Sequence, residues 1–265
     1  SMTLRVPYND YFSQHDSSNH PVRTTVPLIF MIAGMILFLA DSLFIATGAA
    51  SGMDHSVVTL MASLRTGAMV AVSRLFTTIG STVATVIIVI LAAAAFWLTK
   101  HQVQAYLLVG SIIGSAIITW IIKHLVHRAR PAATYQVGTV EDPYSFPSGH
   151  SVNSTVLYGT LAIIVLYSAL TATQRIWATV LCVLMPLFVG LSRIVLCQHW
   201  TTDVLAGWIL GIFWLGIVGL AAKYLLGPLK DKRQEALETE DEQGHQSKGQ
   251  SHQERRRPRV ASSHR

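Results

Sequence analysis

The chain has 265 residues, of which 51% are hydrophobic and 13% charged, with a formal net charge of +6. Soluble domains carry about 25% charged residues, so this composition excludes an ordinary water-soluble globule. The apolar residues come in blocks of roughly 20, the length a helix needs to cross a ~30 Å hydrocarbon core, and lack the polar gaps of a soluble bundle.

A polar tail over residues 1–25 precedes six such blocks, at 26–47, 80–99, 105–122, 152–170, 177–195 and 204–226. The predicted fold class is therefore all-α, a polytopic six-transmembrane-helix bundle with both termini on one side. The first block is too long for a signal-peptide core and reads as an uncleaved signal anchor. Residues 54–79 form a long connection with Val57, Leu60, Met61 and Leu64 at helical spacing, interrupted by Arg65 and Arg74. This predicts an interfacial helix after the first span, although amphipathicity alone does not separate it from a helical loop packed on the bundle. If the fifth block is one helix, Cys182 and Cys197 lie ~22 Å apart, too far for a disulfide.

Residues 228–265 shift to Lys, Arg, Glu, Gln, Ser and His, too polar to offset their ordering entropy, and are predicted to be a disordered charged tail. The run Arg255-Arg256-Arg257-Pro258-Arg259 suits anionic lipid. The acidic residues upstream, from Asp231 to Glu242, favour a solvated tail instead. Lys and Arg are retained in cytoplasmic loops. Fourteen lie on the side of the termini and six on the other, namely Arg65, Arg74, Lys123, Arg128, Arg130 and Arg193. Discounting the distal tail still leaves Lys223, Lys230, Lys232 and Arg233 after the last span, so the termini are predicted to be cytoplasmic.

Ionisable residues at span ends are costly unless they face a polar cavity, and here they collect at the outward ends. Lys123 closes the third block and Arg130-Pro131 follows; Pro147-Ser148-Gly149-His150 opens the fourth; Ser192-Arg193 closes the fifth; His199 and Asp203 open the sixth. Lys123 and Arg130 are two helical turns apart, so if the helix continues they share a face ~10 Å from one another until Pro131 ends the run. Such a pair brackets an anion, and Arg193 adds a planar fork that matches phosphate oxygens. Pro147 to His150 marks a loop turning into a helix, whose first N–H groups and positive dipole end form a phosphate cradle. Gly149 lets the backbone approach a ligand, Ser148 offers a hydroxyl, and His150 is placed to protonate a leaving oxygen. On a helix, Asp203 would reach one ring nitrogen of His199, fix the tautomer and leave the other nitrogen free to attack phosphorus.

Singly these signals are weak, since a Pro-Ser-Gly-His is usually a turn and a His-Asp pair at this spacing usually a helix-surface contact. Their force is that three cations, two histidines and one aspartate fall on one membrane side by a span count made from apolar blocks alone. His124 and His127 have no carboxylate near in sequence and read as solvent-facing. His15, His20, His55, His101, His245, His252 and His264 lie in tails or loops without ligand spacing, so no metal site is predicted. Asp41, inside the first block, lies near its outward end, where water reaches it. Gly110-x3-Gly114 and Gly207-x3-Gly211 mark close helix contacts, with packing within one bundle favoured over dimerisation because small residues at this spacing are common in any membrane bundle.

Lys123-x6-Arg130-Pro131, then Pro147-Ser148-Gly149-His150, then Ser192-Arg193-x5-His199-x3-Asp203 resembles the three-part signature of the phosphatidic acid phosphatase type 2 superfamily. The signature covers residues 123–203 and the similarity in span layout residues 26–226, with no departure at a signature position. The resemblance implies a six-span phosphatase domain over residues 26–227, with His199 as nucleophile through a phosphohistidine, Asp203 as its orienter and His150 as general acid. It implies Lys123, Arg130, Ser148, Gly149 and Arg193 as the phosphate pocket, and no metal or other cofactor.

By size the chain resembles bacterial members acting on phosphatidylglycerophosphate or undecaprenyl diphosphate, which implies a plasma-membrane hydrolase with an outward site, in phospholipid metabolism or cell-wall biogenesis. The same signature occurs in soluble vanadium haloperoxidases, against which six apolar spans argue. A lipid phosphotransferase with the same histidine intermediate, or a non-catalytic lipid-phosphate binding or transport protein, is the alternative. The expected partners are a membrane lipid phosphate and the bilayer, with no nucleic acid; oligomeric state, and mono- against diphosphate, stay open.

Overall fold

The computed structural model describes residues 23–140 and 142–256, and its regular structure is helical throughout. The tail predicted over residues 1–25 lies, except for its last three residues, outside those described. The helices in chain order are α1 (Thr25–Ala46), α2 (Ser51–Leu64), α3 (Gly67–Ile79), α4 (Thr82–Leu98), α5 (Gln102–Val126), α6 (Gly149–Leu166), α7 (Ala172–Val195) and α8 (Thr201–Arg256). Five of them are long and apolar enough to cross a membrane, and α3 with α4, bent by 50° at their junction, makes a sixth span if the pair is one.

Local chemistry sets these boundaries. Thr66 and Ser81 accept the Met69 and Ala84 N–H groups at the starts of α3 and α4, and Thr171 with Gln174 closes a full capping box at the start of α7. α6 is the central helix, packed on α7, α8 and α5, while α1 lies along α8.

The polarity of the molecule is inverted relative to a soluble protein. Along α1, Ile29, Ile32, Ile36, Leu39 and Leu43 are 59 to 64% exposed, whereas Lys123, Arg193, Asp203, Asp54 and His199 are all buried. An apolar surface of this extent requires lipid, and helices are the form in which a backbone can satisfy its own polar groups there. The chain is a multi-pass membrane protein.

Close packing of α6 on α8 depends on glycine. A Cβ on Gly207 would lie 2.6 Å from Ser151 Cβ and one on Gly211 2.5 Å from Thr155 Cγ2, so this glycine pair seats α8 on α6 within the bundle. In the other pair, a Cβ on Gly114 would lie 2.3 Å from Trp214 Cζ2, while one on Gly110 would meet nothing within 4 Å.

Two features differ from the sequence expectation. The connection over 54–79 is two helices, broken where Arg65 turns extended, and α2 buries Asp54 and Val58 while Leu60 and Leu64 stay exposed. The charged segment expected to be disordered over residues 228–265 continues α8 as helix to Arg256, and residues 257–265 of it lie outside those described. Its Glu, Lys, Gln, Ala and Leu are strong helix formers, and Pro228 sits inside the helix without ending it.

A Cβ on Gly216 would lie 2.7 Å from the Pro27 carbonyl oxygen and 3.0 Å from Met31 N, both backbone atoms that cannot rotate away. Gly216→Ala should therefore push α1 from α8 and destabilise the protein by about 1–3 kcal/mol. Gly110→Ala, with open space around it, should be neutral or slightly stabilising. Thermal unfolding of both variants in detergent checks the contrast.

Candidate active site

α5 stops four residues before Arg130, because His127 adopts the left-handed conformation (φ 50°) and its N–H closes on the Lys123 carbonyl at 3.1 Å. The predicted continuous helix face bearing Lys123 and Arg130 does not form. The following loop nevertheless folds back and brings both cations to one carboxylate: Lys123 Nζ and Arg130 Nη2 each lie 3.3 Å from Asp142 Oδ1. Arg130 Nε donates to the Asp142 carbonyl at 2.8 Å, and Lys123 Nζ to the Tyr144 carbonyl at 2.7 Å.

α8 begins at Thr201, so His199 stands just before the helix and Asp203 in its first turn. Asp203 Oδ2 accepts the Trp200 N–H at 3.0 Å, half of a capping box, and lies 3.5 Å from His199 Nδ1. That separation is longer than a closed hydrogen bond. The ring's other nitrogen, Nε2, faces Arg130 Nη1 at 2.9 Å. A guanidinium can only donate, so Nε2 is the acceptor and the ring proton of the neutral tautomer sits on Nδ1 toward Asp203. Burial, then the charges of Arg193, Arg130 and Lys123, hold His199 well below the usual histidine range, opposed in part by a Ser145 backbone contact. The ring is neutral at pH 7.

A cavity of about 270 Å³ is lined by Lys123, Arg130, Gly149, His150, Arg193 and His199, together with Thr82, Thr119, Trp120, Asp142 and Asn153. Six of the eight residues singled out from the sequence thus meet around one space. Asp203 stands behind His199. Ser148 is absent from the lining: fully buried, its hydroxyl caps α6 by accepting from Ser151 N at 3.4 Å and Ser151 Oγ at 3.1 Å. A Cβ on Gly149 would meet nothing nearer than Lys123 Cε at 4.0 Å, so its lack of a side chain leaves pocket space open. Arg193 Nη1 donates to Thr77 Oγ1 at 2.7 Å, which brings α3 to the site.

Other residues behave less simply. Asp41 is half-buried, with its Oδ2 turned away from the surface. His124 and His127 gather with Tyr144 and with Trp120 of the cavity wall, ring centroids 4.2 to 5.5 Å apart, but do not themselves line the cavity. Among the described residues no three His, Cys, Asp or Glu side chains gather as a metal site.

Sequence reasoning missed Asp142, Arg128, Asp54 and Thr202. Asp142 carried a signal, since Glu141 and Asp142 are the only carboxylates between Lys123 and Asp203 in a stretch with four further cationic positions to balance. Arg128 Nη1 donates to Asp203 Oδ1 at 2.6 Å and its Nη2 to Asp54 Oδ2 at 2.7 Å. Asp54 lies 149 residues from Asp203 in sequence, and nothing local to it announces this contact.

Residues 104–225 match the PAP2 superfamily. The chain carries a PAP2 superfamily domain. It is 30% identical over 128 residues to the phosphatidylglycerophosphatase B of Bacillus subtilis (strain 168), a match covering 48% of this chain and 61% of that protein. It is 29% identical over 127 residues to an undecaprenyl-diphosphatase of Sulfolobus acidocaldarius, covering 46% of this chain and 56% of that one. The chain thus spans less than two thirds of the length of either relative. The crystal structure of a transmembrane PAP2 type phosphatidylglycerolphosphate phosphatase from Bacillus subtilis has the same fold, with a TM-score of 0.69 at 22% identity over 74% of this chain and 98% of that one. The PAP2 match includes Arg128, Asp142 and Thr202 but not Asp54 or α3.

The neutral His199 has a stability consequence. Below about pH 6.5 the unfolded chain binds a proton at this residue that the folded PAP2 domain does not, so stability rises with pH across that range and is lost on acidification. Thermal melting in detergent should show a lower midpoint at pH 5 than at pH 7.5, with a smaller gap in His199→Gln.

Proposed function

We propose that the chain is a membrane lipid phosphatase that hydrolyses a lipid phosphate or diphosphate, of the phosphatidylglycerophosphate or undecaprenyl diphosphate class, through a phosphohistidine on His199 and without a metal. The observation that carries this reading is the acceptor state of His199 Nε2 inside a cavity walled by Lys123, Arg130 and Arg193. A pocket that merely held a headgroup needs the cations but not a neutral ring with its lone pair among them. Similarity to a phosphatidylglycerophosphatase and to an undecaprenyl-diphosphatase supports the same reading.

In the resting site Arg130 covers the attacking nitrogen. Phosphate oxygens take over its N–H donors, because charge-assisted bonds to a dianion outweigh an N–H···N bond, and Nε2 is uncovered. The N–P bond forms as the bond from phosphorus to the leaving oxygen breaks, and that oxygen takes a proton from His150 acting as general acid. Water then attacks phosphorus and passes a proton to His150 as the N–P bond breaks, which releases inorganic phosphate and restores both histidines. Asp203 meets the positive charge the ring acquires, while the three cations and Gly149 N–H stabilise the phosphoryl oxygens. The Lys and Arg bias supports cytoplasmic termini and a site facing outward from the plasma membrane.

Release of inorganic phosphate from detergent-purified protein tests this, with undecaprenyl diphosphate, phosphatidylglycerophosphate and phosphatidic acid as substrates and EDTA present. Turnover should survive EDTA, fall on the order of 10⁴-fold or more in His199→Ala, and fall roughly 10²- to 10⁴-fold in His150→Ala. Full turnover in His199→Ala would sink the histidine mechanism. Asp142 supplies a second test. Its carboxylate lies between Lys123 and Arg130, where a phosphate oxygen would bind, and its side chain is 40% exposed, so its competition is screened. Asp142→Asn should lower the inhibition constant of orthophosphate about threefold to fivefold, on the order of 1 kcal/mol.

A further inference from the structure

One buried network behind the site joins Asp203 to Arg128, Thr202 and Asp54, three residues that none of the steps above uses. Asp54, in the first turn of α2, is 1% exposed and accepts three kinds of donor. Its Oδ2 accepts Arg128 Nη2 at 2.7 Å and Thr202 Oγ1 at 2.6 Å, and its Oδ1 accepts Thr202 N at 3.2 Å. Arg128 turns its other nitrogen to Asp203 Oδ1 at 2.6 Å and to Thr202 Oγ1 at 2.8 Å. The guanidinium is thereby forked between two carboxylates, one on α2 and one on α8. Asp203 Oδ1 is taken up by it, which leaves Oδ2 for Trp200 N–H and His199.

We infer that Asp54 is a positioning residue that acts through Arg128 to hold Asp203 against His199, and that it does so from an element outside the matched PAP2 segment. The inference rests on the phosphohistidine reading of the preceding subsection. Two effects follow from the geometry. Arg128 belongs to the loop after α5, not to a helix, and Asp54 together with Thr202 fixes where its side chain can lie. Electrostatically, a guanidinium shared by two carboxylates neutralises neither, so Asp203 keeps effective charge for the ring, which becomes positive as Nε2 bonds to phosphorus. Without Asp54 the whole charge of Arg128 would fall on Asp203.

The exchange Asp54→Asn keeps the volume but removes the charge and turns an NH₂ toward donors, since Thr202 N, Thr202 Oγ1 and Arg128 Nη2 all point at this carboxylate. The experiment is phosphate release as a function of pH for wild type, Asp54→Asn, Arg128→Gln and the double variant, each first shown to melt cooperatively. Asp54→Asn should lower kcat roughly 10- to 100-fold, the range for residues that orient a reacting ligand from behind, with KM changed less than about twofold. Because one residue acts through the other, the double variant should be no slower than Arg128→Gln alone.

The acid limb of the rate profile separates positioning from loss of folded protein, which leaves the limb in place. His199 is faced by Arg193 of α7, Arg130 of the loop, Lys123 of α5, His150 of α6 and Asp203 of α8, all retained in these variants. Removing the negative charge of Asp54 should move the limb to lower pH, and removing the positive charge of Arg128 should move it to higher pH. Should Asp54→Asn not fold, the isosteric Thr202→Val cuts the hydroxyl bridge while both charges remain, and should lower kcat about threefold to tenfold. Unchanged kcat and acid limb in a folded Asp54→Asn, or effects of the two single variants that multiply, would overturn the inference. If wild type releases no phosphate, it is the hydrolytic reading that fails. The titration of His199 in ¹⁵N-histidine spectra, assigned with His199→Gln, then reads the same coupling, and an unmoved midpoint in Asp54→Asn overturns it.

Discussion

Charge buried at one end of an apolar bundle has to be matched within a few ångströms, and most of the site follows from that requirement. A lone ion taken from water into a low-dielectric interior costs several kcal/mol even after relaxation. Lys123, Arg193, Asp203, Asp54 and His199 are each 7% exposed or less. The loop between α5 and α6 therefore cannot run freely over the surface: it must return Asp142 to Lys123 and Arg130, and hold Arg128 between Asp54 and Asp203. Pairing shapes this segment, since it has no regular secondary structure to do so.

The same requirement explains why the pocket is poised but not committed. Burial and three cations around one ring keep that ring neutral, which is the state the proposed nucleophile needs, and the ring's lone pair in turn satisfies an Arg130 donor. Asp142 meets the cations with a partly exposed carboxylate that solvent screens. Both contacts are weaker than those a phosphate dianion would make, so the resting partners are exchangeable, whereas the fork of Arg128 behind the dyad is fully engaged and has no reason to move. The resting site thus divides into a front that rearranges and a back that stays fixed.

Packing explains how α6 and α8, which carry the cradle and the dyad, come close enough to share one site. Small residues let their backbones approach: Gly207 and Gly211 take the shoulders of Ser151 and Thr155, and Ser148 N donates to the Asp203 carbonyl at 3.0 Å. The Ser148 hydroxyl is spent on the α6 cap. A serine in this position is therefore as much a device for starting the helix in the right place as a candidate ligand for phosphate.

The sequence by itself determined the spans, because block length against bilayer thickness is a one-dimensional property. It also determined that Lys123, Arg130, Gly149, His150, Arg193 and His199 converge, because span ends on one side of a membrane are neighbours whatever the packing. Only the tertiary structure decided how the charges are shared. The end of α5 at a left-handed His127 and the capping role of Ser148 are local turns that residue spacing does not settle, whereas the pairing of Asp54 with Arg128 depends on a contact between residues far apart in the chain. Periodicity and spacing record what a residue's own helix does, and a guanidinium forked between α2 and α8 leaves no trace in either.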